Sequence, residues 1–385
     1  MRFSKPFIIL SISGLLAILS STMSKSPTLP LFASSLGLSE GEIGFVAAAS
    51  TIVGIIVNFT AGSLSDIYGR KKLLIASGLF FASAPPLYLF VTNAWQLALV
   101  RAYHGIATAT FTPVAISFVA DMYRSRRGEM MGFFSSATMI GRLSAPILAG
   151  SILTLAGFRE TYLACWLFGS LALISLLLLP SSGEKREIGN RFSAGRSGHE
   201  VMSVLLRRDV LAASSLMAIT YFALQGLETF LPLYMEAAGF EAWLIGTLFT
   251  VQLLVMMLLK PYAGMLSDKM GRVKTTAAGL ATSALGLILL AYSRSYLELV
   301  LSMIVFAVGV SLTTASIPPL ISELVNRETY GSAIGAMETI KDVGQALGSI
   351  AVGLMLPYTR FEGVLLALSF LMLLSLLAFF RELKS

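Results

Sequence analysis

The sequence predicts an all-α membrane protein of twelve transmembrane helices arranged as two six-helix bundles. Three observations lead there: the composition, the rhythm of apolar runs, and an internal repeat. Of 385 residues, 56% are hydrophobic and only 13% charged, with a mean hydropathy of +0.80. An average soluble domain carries about 25% charged residues, so a soluble globule and a disordered chain are both excluded. Twelve spans of about 20 residues need roughly 240, which leaves turns, termini and one modest linker.

The apolar runs fall at 7–33, 42–64, 73–91, 95–120, 130–155, 162–180, 209–235, 242–265, 275–293, 296–321, 331–356 and 362–380. Hydrocarbon offers the backbone no hydrogen bonds, so each run reads as a helix. The first run follows Arg2 and Lys5 as a signal peptide would, but no A-x-A site closes it and it continues to Phe32, so it counts as span one. Counting lysines and arginines in alternate loops tests the number of spans. Twenty lie on the side of the N-terminus, against three, Arg159, Arg294 and Arg360, on the other. That bias places both termini in the cytoplasm of a cell-membrane, multi-pass protein, because cytoplasmic loops collect cations. It also accounts for the net charge of +7 without nucleic acid as a partner. Five further cations, Lys25, Arg101, Arg142, Lys260 and Lys341, lie inside spans.

The polar stretch 181–208 divides the chain into an N-terminal bundle, 1–180, and a C-terminal bundle, 209–385. The two are related by a repeat at a spacing of 202: GSLSDIYGRKK, Gly62 to Lys72, recurs as GMLSDKMGRVK, Gly264 to Lys274, with seven of eleven positions identical. The same offset carries Leu29-Pro30-Leu31 onto Leu231-Pro232-Leu233 and Gly37 onto Gly239; a slip of one carries Gly132, Gly141 and Gly150 onto Gly335, Gly344 and Gly353. An even number of spans per half inserts both halves the same way up, related by an axis along the membrane normal.

These residues resemble the major facilitator superfamily, and more narrowly its drug/proton antiporter group, along essentially the whole chain. Gly62, Leu64, Asp66, Gly69, Arg70 and Lys71 match the family's G-x-L-x-D-x-x-G-R-[KR] loop between helices two and three, and Gly264, Asp268, Gly271 and Arg272 match its looser second copy. Arg101 to Gly105 match the R-x-x-x-G of helix four. GRLSAPILAG, with Gly141, Pro146 and Gly150, is similar to the antiporter motif of helix five, with Ala145 and Ala149 where two glycines are usual. The resemblance implies alternating access between two bundles, with spans three, six, nine and twelve peripheral and spans one, four, five, seven and eleven bordering a cavity.

The charge map agrees with that implication. The four peripheral spans carry no charge in their interiors, whereas Lys25, Arg101, His104, Arg142, Glu228, Glu338, Lys341 and Asp342 lie within spans one, four, five, seven and eleven. Ionisable groups there cost about 2.5 to 3.5 kcal/mol each on insertion scales and by default mark a functional path. On span eleven, Glu338, Lys341, Asp342 and Gln345 fall at i, i+3, i+4 and i+7, one polar face. Either Lys341 pairs with Glu338 and leaves Asp342 hydrogen-bonded, or Asp342 carries a proton and Lys341 serves the substrate. Tyr221, Gln225 and Glu228 make a second stripe on span seven, and the repeat sets Lys25 level with Glu228, as a gate or coupling pair or as substrate ligands.

Arg101 resembles the helix-four arginine of the antiporters, which implies a part in proton transfer; since arginine does not itself titrate, that part is expected to be lowering or switching the pKa of a neighbouring carboxylate. His104, at i+3, reads as a satisfied histidine or, alternatively, as a titrating one. Arg142 faces Gln345 under the repeat and is suited to an anionic substrate or to Asp342. Asp66 and Asp268 are expected to latch onto helix starts of the opposite half, near Gly331 and Gly128, beyond the plain topogenic turn that the loop's cations alone would make.

One cysteine, Cys165, excludes an internal disulfide, and with two histidines, His104 and His199, no His/Cys metal cluster can be built. No G-x-x-x-x-G-K-[ST] loop occurs, so ATP hydrolysis has no support. No cofactor is expected; the partners are a small-molecule substrate, protons and the lipid bilayer, and the chain reads as monomeric. The expected function is secondary active transport, as proton-coupled efflux of a small organic solute. The alternatives are a proton-coupled symporter importing a small organic anion and a non-transporting membrane sensor. No convergent nucleophile, base and orienting group suggests an enzyme.

Overall fold

The first span is broken where its sequence reads Ser-Lys-Ser-Pro. Pro27 lacks an N–H and its ring opposes the carbonyl four residues back, so a helix cannot run through it unaltered. In the computed structural model the helix Lys5–Met23 stops, Ser24 to Pro27 form a turn with a cis Ser26–Pro27 bond, and the helix resumes as Thr28–Ser35. The expected continuous run 7–33 is therefore two helices, with Lys25 in the break between them.

The structure describes residues 3–123, 125–180, 207–326 and 329–382, excepting the side chains of Phe59, Gly62, Ser63, Asp66, Ala378, Phe380, Arg381 and Glu382. The linker 181–206 and the topogenic cations Arg2, Arg124, Arg327 and Lys384 lie outside the described residues, as does the environment of Gly62 and Asp66. The remaining spans are Glu40–Tyr68, Arg70–Leu87, Ala94–Met122, Arg127–Ala156, Phe158–Leu177, Arg208–Ala237, Ala242–Met270, Arg272–Tyr292, Tyr296–Leu324, Tyr330–Met355 and Phe361–Glu382. Among the described residues, ten spans are long and apolar enough by themselves to cross a membrane. Of the other two, Tyr330–Met355 carries the charged face around Lys341, and the twelfth is apolar over Phe361–Leu377. Spans two and ten begin on capping boxes, Ser39 with Glu42 and Ser295 with Glu298. Each box satisfies backbone donors that the first turn leaves open.

The repeated turns are as short as a helix-to-helix connection can be. A single residue separates the helices on either side, Gly69 at φ +93° and Gly271 at φ +93°. Only glycine adopts that conformation without strain.

By contacts the chain divides into unit one, Met1–Gly189 with Glu228–Thr250, and unit two, Asn190–Leu227 with Val251–Ser385. In unit one, spans one and five pack together, as do two and four, three and four, three and six, and one and six; in unit two, span nine packs on ten and twelve. The pairing of three with four and six thus recurs as nine with ten and twelve. Helices in lipid gain little from burying apolar surface and associate through close packing, which small residues permit. Gly141 of span five lies against the Leu15 carbonyl of span one, and Gly344 of span eleven against the Ala218 carbonyl of span seven. Both partners are offset by 203 residues, so the repeat is written into the helix crossings. In unit one, Gly150 meets the Ala242 carbonyl and Gly246 the Pro146 carbonyl, drawing the start of span eight onto span five. Ala145 and Ala149 are fully buried there with Leu19, Met23 and Cys165.

Outward surfaces are apolar: Leu171, Ile174 and Leu177 on span six, Leu285 and Leu289 on nine, Phe370 and Leu377 on twelve are all exposed. Continuous apolar exposure of this kind requires a non-aqueous solvent. Phe90, Trp95, Trp243, Tyr292 and Tyr358, exposed at span ends, supply the aromatic residues that prefer the membrane interface.

Candidate functional site: two polar clusters inside the spans

In unit one, Lys25 projects from the break in span one and its ammonium stands 3.6 Å from the Glu228 carboxylate on span seven, the two side chains 31% and 20% exposed. Within the Ser24–Pro27 turn the Lys25 N–H donates to the Thr22 carbonyl and its carbonyl accepts from the Leu29 N–H, so the backbone stays bonded while the side chain reaches across. Arg101 and Arg142 lie close enough to act on Lys25 electrostatically. Arg142 itself is exposed on span five.

Arg101 and His104 are buried on one face of span four. The Arg101 Nη2 donates to Ser50 Oγ at 2.7 Å, and Gly105 keeps spans four and two close enough for that bond, its hydrogens lying against the Ser50 backbone. His104 Nδ1 lies 3.3 Å from the Tyr88 hydroxyl and 3.4 Å from Ser24 Oγ. Tyr88 in turn stacks on Tyr162, ring centroids 4.5 Å apart and planes 4° off parallel. Ser50, Tyr88 and Tyr162 carry no motif and no periodic signal that would have singled them out.

In unit two, span eleven presents the expected face. Lys341 Nζ lies 2.5 Å from Glu338 Oε2 and 3.2 Å from Asp342 Oδ1, so the lysine is shared by both carboxylates. It also sits 5.2 Å from the centre of the Tyr221 ring on span seven. One turn on, Gln345 Nε2 donates to Gln225 Oε1 at 2.9 Å. Gly348 against Phe222 and Gly226 against Val352 hold the two spans close enough for these contacts. The stripe on span seven therefore divides: Tyr221 and Gln225 meet span eleven, while Glu228 turns to Lys25. The boundary between the contact units falls between Leu227 and Glu228.

The glycine turns carry a third arrangement, repeated in each unit. Arg70 pairs with Asp121 at the end of span four. Arg272 Nε lies 3.0 Å from Glu323 at the end of span ten, and its Nη1 2.5 Å from Asp268. Asp121 and Glu323 were absent from the sequence reading. Their signal was available, since 323 − 121 = 202 is the offset of the repeat itself.

Apolar helices in a duplicated pattern, with ionisable side chains gathered inside the spans, define a polytopic membrane transporter. The Major Facilitator Superfamily profile matches residues 10–249 and 243–385, and the chain belongs to that family. It is 24% identical over 381 residues to the multi-drug resistance efflux pump PmrA of Streptococcus pneumoniae, covering 93% of this chain and 92% of the pump. It is 27% identical over 338 residues to the multidrug resistance protein MdtG of Dickeya zeae, covering 84% and 81%. Among solved structures, the nucleoside transporter NupG superposes with a TM-score of 0.86 at 16% identity, over 99% of this chain and all of that one, a likeness of fold.

Proposed function

We propose that the protein exports small organic solutes in exchange for protons, by alternating access between bundles 1–180 and 209–385 joined by the linker 181–208. It works as a monomer in the cell membrane with both termini cytoplasmic. The observation that carries this reading is Lys341 held between Glu338 and Asp342. One ammonium and two carboxylates leave a net charge of −1 within a span, and uptake of one proton neutralises it; charge inside the membrane is costly, so the site is suited to load and unload a proton. Lys25 with Glu228 provides a pair that can break and reform as access alternates. Efflux relatives such as PmrA and MdtG support the direction. The latch of Asp66 and Asp268 onto opposite helix starts belongs to the same proposal.

A second reading, import of a small organic anion with protons, draws on the cations Lys25, Arg142 and Lys341 as the groups that would hold the anion. Proteoliposomes under an imposed pH gradient, challenged with a compound panel, separate the two. Uptake into vesicles that are acidic inside, with matching proton efflux, is expected. Movement of solute with the proton supports the symporter, and no flux of any solute ends both readings.

A further inference from the structure

Arg101 is a buried cation without a counter-charge. It is 4% exposed; its bonds go to Ser50 and Tyr88, both neutral, and no carboxylate pairs with it among the described residues. Burying an unpaired ion costs far more than pairing one. Around it, hydrogen bonding is also short of acceptors. Arg101 Nε, His104 Nε2 and the Tyr162 hydroxyl are buried with no partner. The Ser24 hydroxyl donates to the Ser21 carbonyl at 2.8 Å, so Tyr88 is the hydroxyl left to donate to His104 Nδ1, and that donation leaves the ring proton on Nε2. Arg101 Nε–H and His104 Nε2–H are then two unsatisfied donors, three residues apart on one face of span four. Tyr162, stacked on Tyr88, adds a third hydroxyl to the same cluster.

Charge points the same way. The span interiors of unit one hold Lys25, Arg101 and Arg142 against Glu228, +3 − 1 = +2. Phe81 lies edge-on to His104 with centroids 6.2 Å apart and to Phe111 at 5.9 Å, so the cluster is walled by rings that exclude a bulky solute. We propose that a small monovalent anion of the halide class, chloride in the cell, binds within unit one at Arg101 Nε, with His104 Nε2 and the Tyr162 hydroxyl as further donors. The ion offsets a buried charge and accepts from donors that the protein leaves open. It is a resident ion whose presence does not depend on what the protein transports or in which direction.

The full chain, purified in detergent in sodium gluconate, tests this by its thermal midpoint as chloride or bromide replaces gluconate at constant ionic strength. A saturable rise with either halide is expected. Tyr162→Phe keeps the ring stack and is expected to raise the half-saturating halide concentration roughly tenfold, the loss of one hydrogen bond to a charged group. Arg101→Gln is expected to abolish the response. Should that variant fail to fold, wild-type crystals soaked in bromide give an independent readout, an anomalous peak beside Arg101. A midpoint that ignores the identity of the anion, or a soaked crystal with water alone at Arg101, overturns the assignment.

Discussion

Asp121 and Glu323 stand 202 residues apart and receive the same partner: each takes the arginine that follows its unit's glycine turn, Arg70 and Arg272. The turn glycines bring the arginines round, and the acidic residues fix them to the ends of spans four and ten. Duplication has thus preserved a contact across two spans, with aspartate in one copy and glutamate in the other.

Breaking these pairs is expected to have unequal effects. Glu323 is 58% exposed, so Glu323→Gln should cost only about 0.2 to 1 kcal/mol. Asp121 is 33% and Arg70 15% exposed, and Asp121→Asn should lower the thermal midpoint further. Melting curves of the purified variants rank the two; equal midpoints would contradict the ranking.

Lys25 and Glu228 are expected to couple energetically. Lys25→Met takes the ammonium from Glu228, Glu228→Gln takes the charge from the carboxylate, and the double variant should recover stability, with an interaction energy of about 0.5 to 3 kcal/mol, the range for residues in contact. A double-mutant cycle on thermal stability measures it, and strictly additive losses would show that the pair does not interact.

Glycines at helix crossings and glycines in open space should respond with opposite sign. A methyl at Gly344 runs into the Ala218 backbone, whereas one at Gly335 on the same span meets nothing. Gly344→Ala is expected to destabilise by about 1 to 3 kcal/mol, the usual cost of overpacking. Gly335→Ala is expected to stabilise by about 0.4 to 1 kcal/mol through the unfolded chain. Thermal midpoints of the two single variants decide the matter.

Asp342→Asn tests the proposed proton site directly. If the triad carries the proton, the variant should lose transport driven by a pH gradient while still exchanging solute for solute across the membrane. Gradient-driven flux at the wild-type rate would move the proton to another group. Lys341→Ala, which leaves two carboxylates without their shared ammonium, should impair both modes.

Much of the candidate site is legible in the sequence. Helical spacing put Glu338, Lys341, Asp342 and Gln345 on one face, and that face exists. Spacing did not reveal that Lys341 is shared, since i+3 and i+1 neighbours compete for an ammonium only once rotamers and the Tyr221 ring are in place. His104 stood out because histidine is rare here, whereas its partners Tyr88 and Ser24 did not, because tyrosine and serine are ordinary in spans. The break at Pro27 is not legible from proline alone, because Pro113, Pro146 and Pro232 lie inside unbroken helices.

By itself the sequence determined the spans, their duplication and which of them carry charge, because hydropathy and repeat spacing are properties of neighbours along a chain. Tertiary structure alone decided who meets whom: that Glu228 turns to Lys25 while Gln225, less than one turn away, bonds Gln345, and that Arg101 is sealed among neutral groups. Helical period fixes the face a residue occupies. Its partner depends on the rotation and axial register of two distant helices, which contacts such as Gly344 on Ala218 and Gly246 on Pro146 set.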